Sequence, residues 1–510
     1  MSDPKEKMNV LFIITDAQRA DHLSCAGNPI VKTPNLDRLA SEGIRFTNHY
    51  CTNPICMPNR ATLTTGVYPN VHGVRSNGIN LRQDIPTIIQ TLKKRGWYTA
   101  AIGKIHHQYW LGPFRHKSRS AESLTDWAIA KDKTYPVRDN FPLPYYGYNE
   151  VELVSGNGTV CSGHYIQWLE EKSPKYAEEM KKRVRNYDNL FSLFCDEIPE
   201  DLYNTTYVKE RTIAFLERYA NGDYGNMPFY LHCSFPDPHY PLYPPKRYQD
   251  MYNSENIILP PNFYDIKNLY NHKFLGYHLR NPPFKKAFLR ESAEEEVRKI
   301  TAITYAAITY VDYCIGQIIA ALEKLGYSDD TIIVFMSDHG DLMGDHGLLF
   351  KGPCPYNGVL HLPLIWKVPG LTKSGVSNSL VSSIDYPKTI LNLLNITERY
   401  QPPEMQGFDI TPILTNPNQK VRDCVFIEND EEVGPLEARL RHLITENYKL
   451  TIYEGIIDYG DIYDRKNDPH ELTNLWHNKD FRGERFKLVN RFLQENLKAQ
   501  TKYPKRIAGT

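Results

Sequence analysis

Cys56, Pro58 and Arg60 stand in the order Cys-x-Pro-x-Arg, and the run continues Ala61-Thr62-Leu63-Thr64-Thr65-Gly66. Pro58 suits the first helical position and Gly66 a left-handed cap, so this spacing predicts a helix with its open end near Cys56. Unpaired backbone N–H groups and the positive end of the helix dipole favour a thiolate, an oxyanion or a sulfate there. A potential nucleophile and a fixed cation thus share the mouth of one helix. Taken alone, the pattern reads equally well as a buried free cysteine beside a turn proline.

The elements that must position these groups are visible as four short apolar runs, each closed by a polar cluster. Residues 10–14 precede Asp16, 98–102 precede Lys104 and His106, 229–233 precede His239, and 331–336 precede Asp338 and His339. Continuous apolar runs of this kind read as strands buried on both faces in a mainly parallel α/β sheet flanked by helices. Ligands bind beyond the carboxyl ends of such strands, so four chain-distant clusters are expected to meet at one edge. Asp16, Asp338 and His339 offer hard oxygens and one imidazole, a donor set for Ca²⁺, Mg²⁺ or Mn²⁺.

Helices separate the runs: Thr33 and Pro34 open one that stops at Gly43, Asp84 and Pro86 open another, and residues 300–325 form an apolar helix leading into the 331 strand. Two regions, about 113–200 and 242–283, look like insertions, lids or solvated excursions. After Gly407 the pattern shifts to short strands at 425–427, 443–444, 449–453 and 461–463 and a final helix at about 481–497. The expected organisation is a catalytic α/β domain over 1–415 and a smaller antiparallel α+β subdomain over 416–510.

The chain has 510 residues, 41% hydrophobic and 24% charged, ordinary globular composition for more than one core. Sixty basic and sixty acidic residues cancel, which argues against nucleic acid and anionic membrane as partners. The first seven residues are polar, and no uninterrupted apolar run approaches membrane-spanning length, so a cytoplasmic location without membrane attachment is expected. Nine scattered cysteines without a C-x-x-C pair argue against a disulfide framework or a zinc knot; Cys51 and Cys56 are close enough to consider as a redox pair, a weaker reading than the nucleophile. Asn157, Asn204 and Asn395 open glycosylation tripeptides that would need a secretory route.

Asn9 to Asp21, Thr33 to Ala40, the Cys56 block, Gly103-Lys104-Ile105-His106, Phe235 to His239, Ser337-Asp338-His339-Gly340-Asp341 and Gly347 to Gly352 together resemble, in order, the type I sulfatases of the alkaline phosphatase superfamily. Ile462-Tyr463-Asp464, with Asn467 to Glu471 and Asn474-Leu475, is similar to the same family's carboxyl-terminal signature. The resemblance implies an alkaline phosphatase-like fold and a hydrolase of small-molecule or saccharide sulfate esters. It implies that a formylglycine-generating enzyme converts Cys56 to formylglycine, whose hydrate attacks sulfur and also touches one divalent cation, Ca²⁺ first, held by Asp16, Asp338 and His339. It further implies that Arg60 holds the formylglycine, Lys104 and Lys351 grip sulfate oxygens, His106 is the base that collapses the sulfated hemiacetal, and His239 serves the leaving oxygen.

Three positions depart from the family pattern. Ala17 stands where relatives carry a further ligand, Asn59 replaces a smaller residue in the signature, and His339 resembles the bacterial sulfatase and phosphonate monoester hydrolase branch. Phosphonate monoester or phosphodiester hydrolysis at the same site, and a silent anion-binding relative, are therefore the alternative expectations, and a homo-oligomer is left open.

Overall fold

The computed structural model describes residues 8–111, 120–129, 140–185, 197–281, 290–433, 436–503 and 506. Residues 1–7, Cys195, Pro283 and further parts of the two expected insertions lie outside that set.

The apolar runs form Asn9–Thr15 (β1), Tyr98–Gly103 (β2), Phe229–Ser234 (β4) and Thr331–Ser337 (β5), joined by Glu150–Asn157 (β3) and Leu364–Lys367 (β6). The nine-stranded sheet runs Gly375–Ser377, Ile44–Phe46, β6, β5, β1, β4, β2, β3, Val160–Gly163. Strands β5, β1, β4, β2 and β3 are parallel to one another; β6 and Val160–Gly163 pair antiparallel. Burial on both faces explains the unbroken apolar runs: Leu11 and Ile13 enter one core, Val10, Phe12 and Ile14 the other.

Helices cover the faces. Glu294–Lys324 packs beside Asn204–Ala220 and leads through Ser328–Asp330 into β5, the crossover expected from the sequence. It is long and apolar enough to cross a membrane by length and composition, a property the sequence reading did not assign to it; most of its apolar window is buried inside the fold.

Residues 150–163 fall within the first region expected to be an insertion, yet they supply two strands of the central sheet. Residues 164–172 and 174–185 are helical. Their backbone groups are thereby paired, which the density of Tyr, Pro and charge in the sequence did not suggest.

The carboxyl-terminal region is an antiparallel sheet of Cys424–Val433 (β7), Leu436–Thr445 (β8), Tyr448–Tyr453 and Gly460–Asp464, backed by Arg482–Ala499. It is fastened to the rest by Glu428 N–H donating to Thr52 O at 2.9 Å and by a buried Lys449–Glu471 pair, with Glu471 also accepting from Asn357 N–H at 2.9 Å.

Candidate active site

Cys56 opens the helix Cys56–Thr65 (α1), which ends at Gly66 in the left-handed conformation with its N–H on Thr62 O. The helix begins two residues earlier than Pro58 suggests. Proline is tolerated because the first-turn N–H groups have no intrahelical partner to lose. The sulfur therefore lies within the first turn, 1% exposed as a residue, 2.8 Å from Lys351 Nζ and 3.1 Å from His339 Nε2. Burial and Asp16 oppose ionisation of this thiol, but Lys351, Lys104 and His339 outweigh them and hold its pKa well below the usual thiol value.

Two carboxylates face the sulfur from adjacent strand ends. Asp16 turns Oδ2 to Lys104 Nζ and, at 3.5 Å, to Arg60 Nη2, while Oδ1 lies 3.2 Å from His339 Nε2. Asp338 accepts from Arg60 Nε through Oδ2 at 2.7 Å, and its Oδ1 accepts the N–H groups of Ala17 and His339 while lying 3.6 Å from His339 Nε2. Arg60 spends its remaining donors on Lys104 O and Ser234 Oγ, both at 2.9 Å. His339 donates Nδ1–H to Gly340 O at 2.8 Å, which leaves Nε2 toward Cys56 and the acids. Burial works against the Asp16 charge, yet Lys104, His239 and His339 hold its carboxyl well below the ordinary carboxylate range.

The ligand-type atoms of Asp16, Cys56, His239 and His339 all lie within 4.8 Å of one another. His239 thus stands in the group where the sequence reading expected Asp338, which is beside it and pinned by Arg60. His239 donates Nδ1–H to Tyr240 O, and its Nε2 accepts from Asn157 Nδ2 and Lys351 Nζ, each at 3.2 Å. Gln18 does not replace the ligand missing at Ala17, because its amide is tied to Thr15 Oγ1 at 3.0 Å and to His22 O at 3.4 Å. Asn59 has a fixed role: it donates to Asp338 O at 2.6 Å and accepts from Thr52 N–H and Oγ1, locking the α1 turn to the β5 end.

Lys104 leaves β2 immediately after Gly103, whose φ is +101° and where an added Cβ would fall 1.8 Å from Ser234 O. Only glycine allows strands β2 and β4 to approach this closely and deliver the lysine. His106 follows with φ 60°, also left-handed, its ring edge-on to Trp110 and neither ring nitrogen in a hydrogen bond among the described residues. Burial first, then the neighbouring Lys104 cation, lowers its pKa to about 4, so the ring is neutral near Cys56.

Two further groups of this site carry no signature in the sequence. Asn157, noted there only as a glycosylation acceptor, ends β3 and receives Lys104 Nζ at 2.5 Å while contacting His239. Glu122 is buried and accepts the N–H groups of His106, His107 and Gln108 at 2.7, 2.8 and 3.1 Å, together with Tyr145 O–H at 2.7 Å, which fixes the strained His106 turn. The signal for Asn157 was its place at a strand end; Glu122 had none. Seven of the nine candidate residues are buried, and half-buried His239 and Lys351 form the edge that meets solvent. The Cys51 thiol is free and pushed up by burial, which sets it apart from the activated Cys56.

A tetrahedral anion is what this cationic cradle around one sulfur suits. The chain matches the Sulfatase family over residues 8–396 and the family described as N-sulphoglucosamine sulphohydrolase, C-terminal, over 344–501. It is 28% identical to an arylsulfatase of Clostridium perfringens, across 97% of this chain and 95% of that one. Its backbone is similar to a phosphonate monoester hydrolase of Agrobacterium radiobacter, with TM-score 0.77 and 24% identity over 97% of this chain and 96% of the other. A structure solved with its substrate D-glucosamine-2-N,6-O-disulfate matches at TM-score 0.72 and 22% identity, over 98% and 100% of the two chains. The chain belongs to the sulfatase family of the alkaline phosphatase superfamily and is a sulfuric ester hydrolase.

Proposed function

We propose that the chain cleaves monoesters of sulfate with formylglycine made from Cys56 as nucleophile, assisted by one divalent cation, Ca²⁺ first and Mg²⁺ or Mn²⁺ as alternatives. The observation that carries this reading is the Cys56 sulfur itself, set in the first turn of α1 between Lys351 and His339. That sulfur stands for the hydroxyl oxygen of the modified residue. The hydrated aldehyde supplies the attacking oxygen and a second hydroxyl that lets sulfate depart by C–O cleavage.

The residues fit a cation. Asp16 and Asp338 each give Oδ2 to a fixed positive group and turn Oδ1 toward His339 Nε2, so two oxygens and one ring nitrogen crowd together. Two hard oxygens and an imidazole nitrogen so placed are a donor set for a divalent cation. Asp16, Asp338 and His339 would hold the ion, with position 56 and His239 adjacent. When bound, the ion polarises the sulfate and lowers the pKa of the attacking hydroxyl.

The chain's own groups do the rest. Arg60 pairs with both carboxylates and orients them, and Lys104 and Lys351 neutralise the sulfate oxygens. His106, neutral and with neither ring nitrogen hydrogen-bonded among the described residues, receives the proton released at position 56. His239 Nε2, 3.2 Å from Lys351 Nζ, lies within reach of the leaving oxygen of an ester held by that lysine, where a ring nitrogen can pass a proton to it. A formylglycine-generating enzyme acts on Cys56 before the chain closes, since the folded chain leaves that residue 1% exposed. The substrate class is a small-molecule or saccharide sulfate ester.

The test is peptide mass spectrometry across Cys56, elemental analysis, and turnover of p-nitrophenyl sulfate against an aryl phosphonate. Active protein carrying an unmodified thiol overturns the nucleophile, full activity in metal-free protein overturns the cation, and faster phosphonate turnover reverses the substrate assignment.

A further inference from the structure

Glu471 closes the Asn467 to Glu471 stretch of the carboxyl-terminal signature, and the acids of that stretch build the turns that present it. Asp464 Oδ1 accepts the N–H groups of Lys466 and Asn467, and Asp468 accepts those of Leu472 and Thr473. Glu471 itself has φ 62°, a left-handed conformation that a non-glycine residue keeps only where its surroundings impose it. Its side chain accepts Asn357 N–H through Oε2 at 2.9 Å and pairs through Oε1 with the fully buried Lys449. Lys449 Nζ also donates to Asn357 Oδ1 at 3.4 Å. A buried ion pair is a poor source of stability, since apolar residues of similar volume often serve as well. What this pair fixes is the backbone at Asn357.

Three parts of the active site meet there. Asn357 ends the loop that carries Lys351, and Pro353 and Pro355 leave that loop little freedom once its end is held. Just beyond, Val359 O accepts the N–H of Gly340, next to His339, and Leu360 O accepts the N–H of Cys51, both at 3.1 Å. His361 and Leu362 then pair antiparallel with Tyr50 and His49, on the approach to Cys56. Arg465, inside the same signature, donates to Tyr50 Oη at 2.7 Å and Asn48 Oδ1 at 2.6 Å. The signature thus grips both the chain that delivers the nucleophile and the chain that delivers Lys351, whose Nζ lies 2.8 Å from the Cys56 sulfur.

We infer that Glu471 is a positioning residue for Lys351: by accepting Asn357 N–H it sets the approach of that lysine to the nucleophile and the sulfate, with Lys449 holding the carboxylate in place. The claim rests on the sulfatase reading, in which Lys351 neutralises sulfate oxygens. A signature that carries none of the reacting groups acquires a task in the reaction.

The experiment replaces the pair in two ways. Lys449→Met with Glu471→Leu fills the space with apolar groups and removes the acceptor of Asn357 N–H; Lys449→Met with Glu471→Gln keeps an amide oxygen for it. Thermal melting establishes that each is folded at the assay temperature. In the leucine variant kcat/KM for p-nitrophenyl sulfate is expected to fall about tenfold to hundredfold, the scale of an ångström-sized displacement of a reacting group. In the glutamine variant most of that loss is expected to be recovered, whatever the order of the two Tm values. Equal activity in the two variants overturns the inference.

A second arm adds Lys351→Ala. The leucine pair is expected to cost at most about twofold in that background, because the lysine it misplaces is gone. A loss as large as in the presence of Lys351 overturns the inference and leaves the sulfatase reading intact, whereas undiminished turnover in Lys351→Ala alone overturns the role of that lysine and the inference with it. Glu471→Asp, which keeps the charge beside Lys449 but shortens the reach to Asn357, takes the place of the leucine pair in this cycle if that pair does not fold, with the same opposed outcomes. Running the cycle on an aryl phosphonate as well keeps it readable whichever ester the enzyme prefers.

Discussion

The two polar clusters flanking Cys56 are built on opposite rules. On the sheet side, each carboxylate oxygen of Asp16 and Asp338 meets a cation, a backbone N–H or an imidazole, and Arg60 ties both acids together. On the β7 side, Asn429, Glu431 and Asn53 keep atoms with no answering group among the described residues. The first cluster has its charged oxygens paired within the protein and, with the proposed cation, is preorganised for a charge that hardly varies among sulfate esters. The second is buried without being fully paired among the described residues, an exception to the rule that buried polar atoms find partners.

The contrast breaks first at the nucleophile. Cys56→Ala is expected to lower turnover of p-nitrophenyl sulfate on the order of 10⁴–10⁶-fold while circular dichroism shows a folded chain; residual wild-type turnover would remove position 56 from the chemistry. Arg60→Met tests completeness on the sheet side. It strands two buried carboxylates, so denaturant titration is expected to register a loss of roughly 3–5 kcal/mol, and a loss under about 1 kcal/mol would mean that Lys104 alone suffices for Asp16.

Asn157→Ala sharpens the comparison, because that residue belongs to the complete cluster without bearing charge. By letting Lys104 and His239 drift, it is expected to reduce kcat roughly tenfold to hundredfold with little change in Tm. Measured across esters of graded leaving-group pKa, the loss should be greater for poorly acidic alcohols; a uniform loss would confine Asn157 to Lys104. The smallest effect is expected at the rim of the hairpin, where Arg75 meets Glu432 in partial solvent exposure. Glu432→Ala should shift stability by under about 1 kcal/mol, and a larger change would show that the rim, too, holds the β7 face in place.

The same contrast explains what could be read from the chain alone. The four strand ends and Cys-x-Pro-x-Arg were legible because each is local: an apolar run followed by a charged turn, and a helix start marked by proline and glycine. The parallel order of β5, β1, β4 and β2 then brings Asp338, Asp16, His239 and Lys104 to one edge. Asn157 escaped because its strand lies in a Tyr- and Pro-rich stretch whose pairing with β2 is decided by distant residues. Glu122 escaped because its work is to receive backbone N–H groups, for which no residue spacing is required. Residues 428–431 lie beyond the short strand read at 425–427; they continue β7, are buried, and Glu428 N–H docks on Thr52 O, a contact that no local pattern announces.

Arg60 and Asp338, joined side chain to side chain, are separated by 278 positions along the chain. At about 5–20 residues per second, a ribosome needs roughly 15–55 s to travel from one to the other. Throughout that interval the guanidinium has no Asp338 to meet, and β1 lacks β5, its neighbour on one side. The amino-terminal part of the sheet therefore cannot close its most charged point while it is being made. Every truncated product ending before residue 338 leaves Arg60 without one of its two acids, so premature termination yields a chain poorly able to bury its own centre, an open substrate for proteolysis.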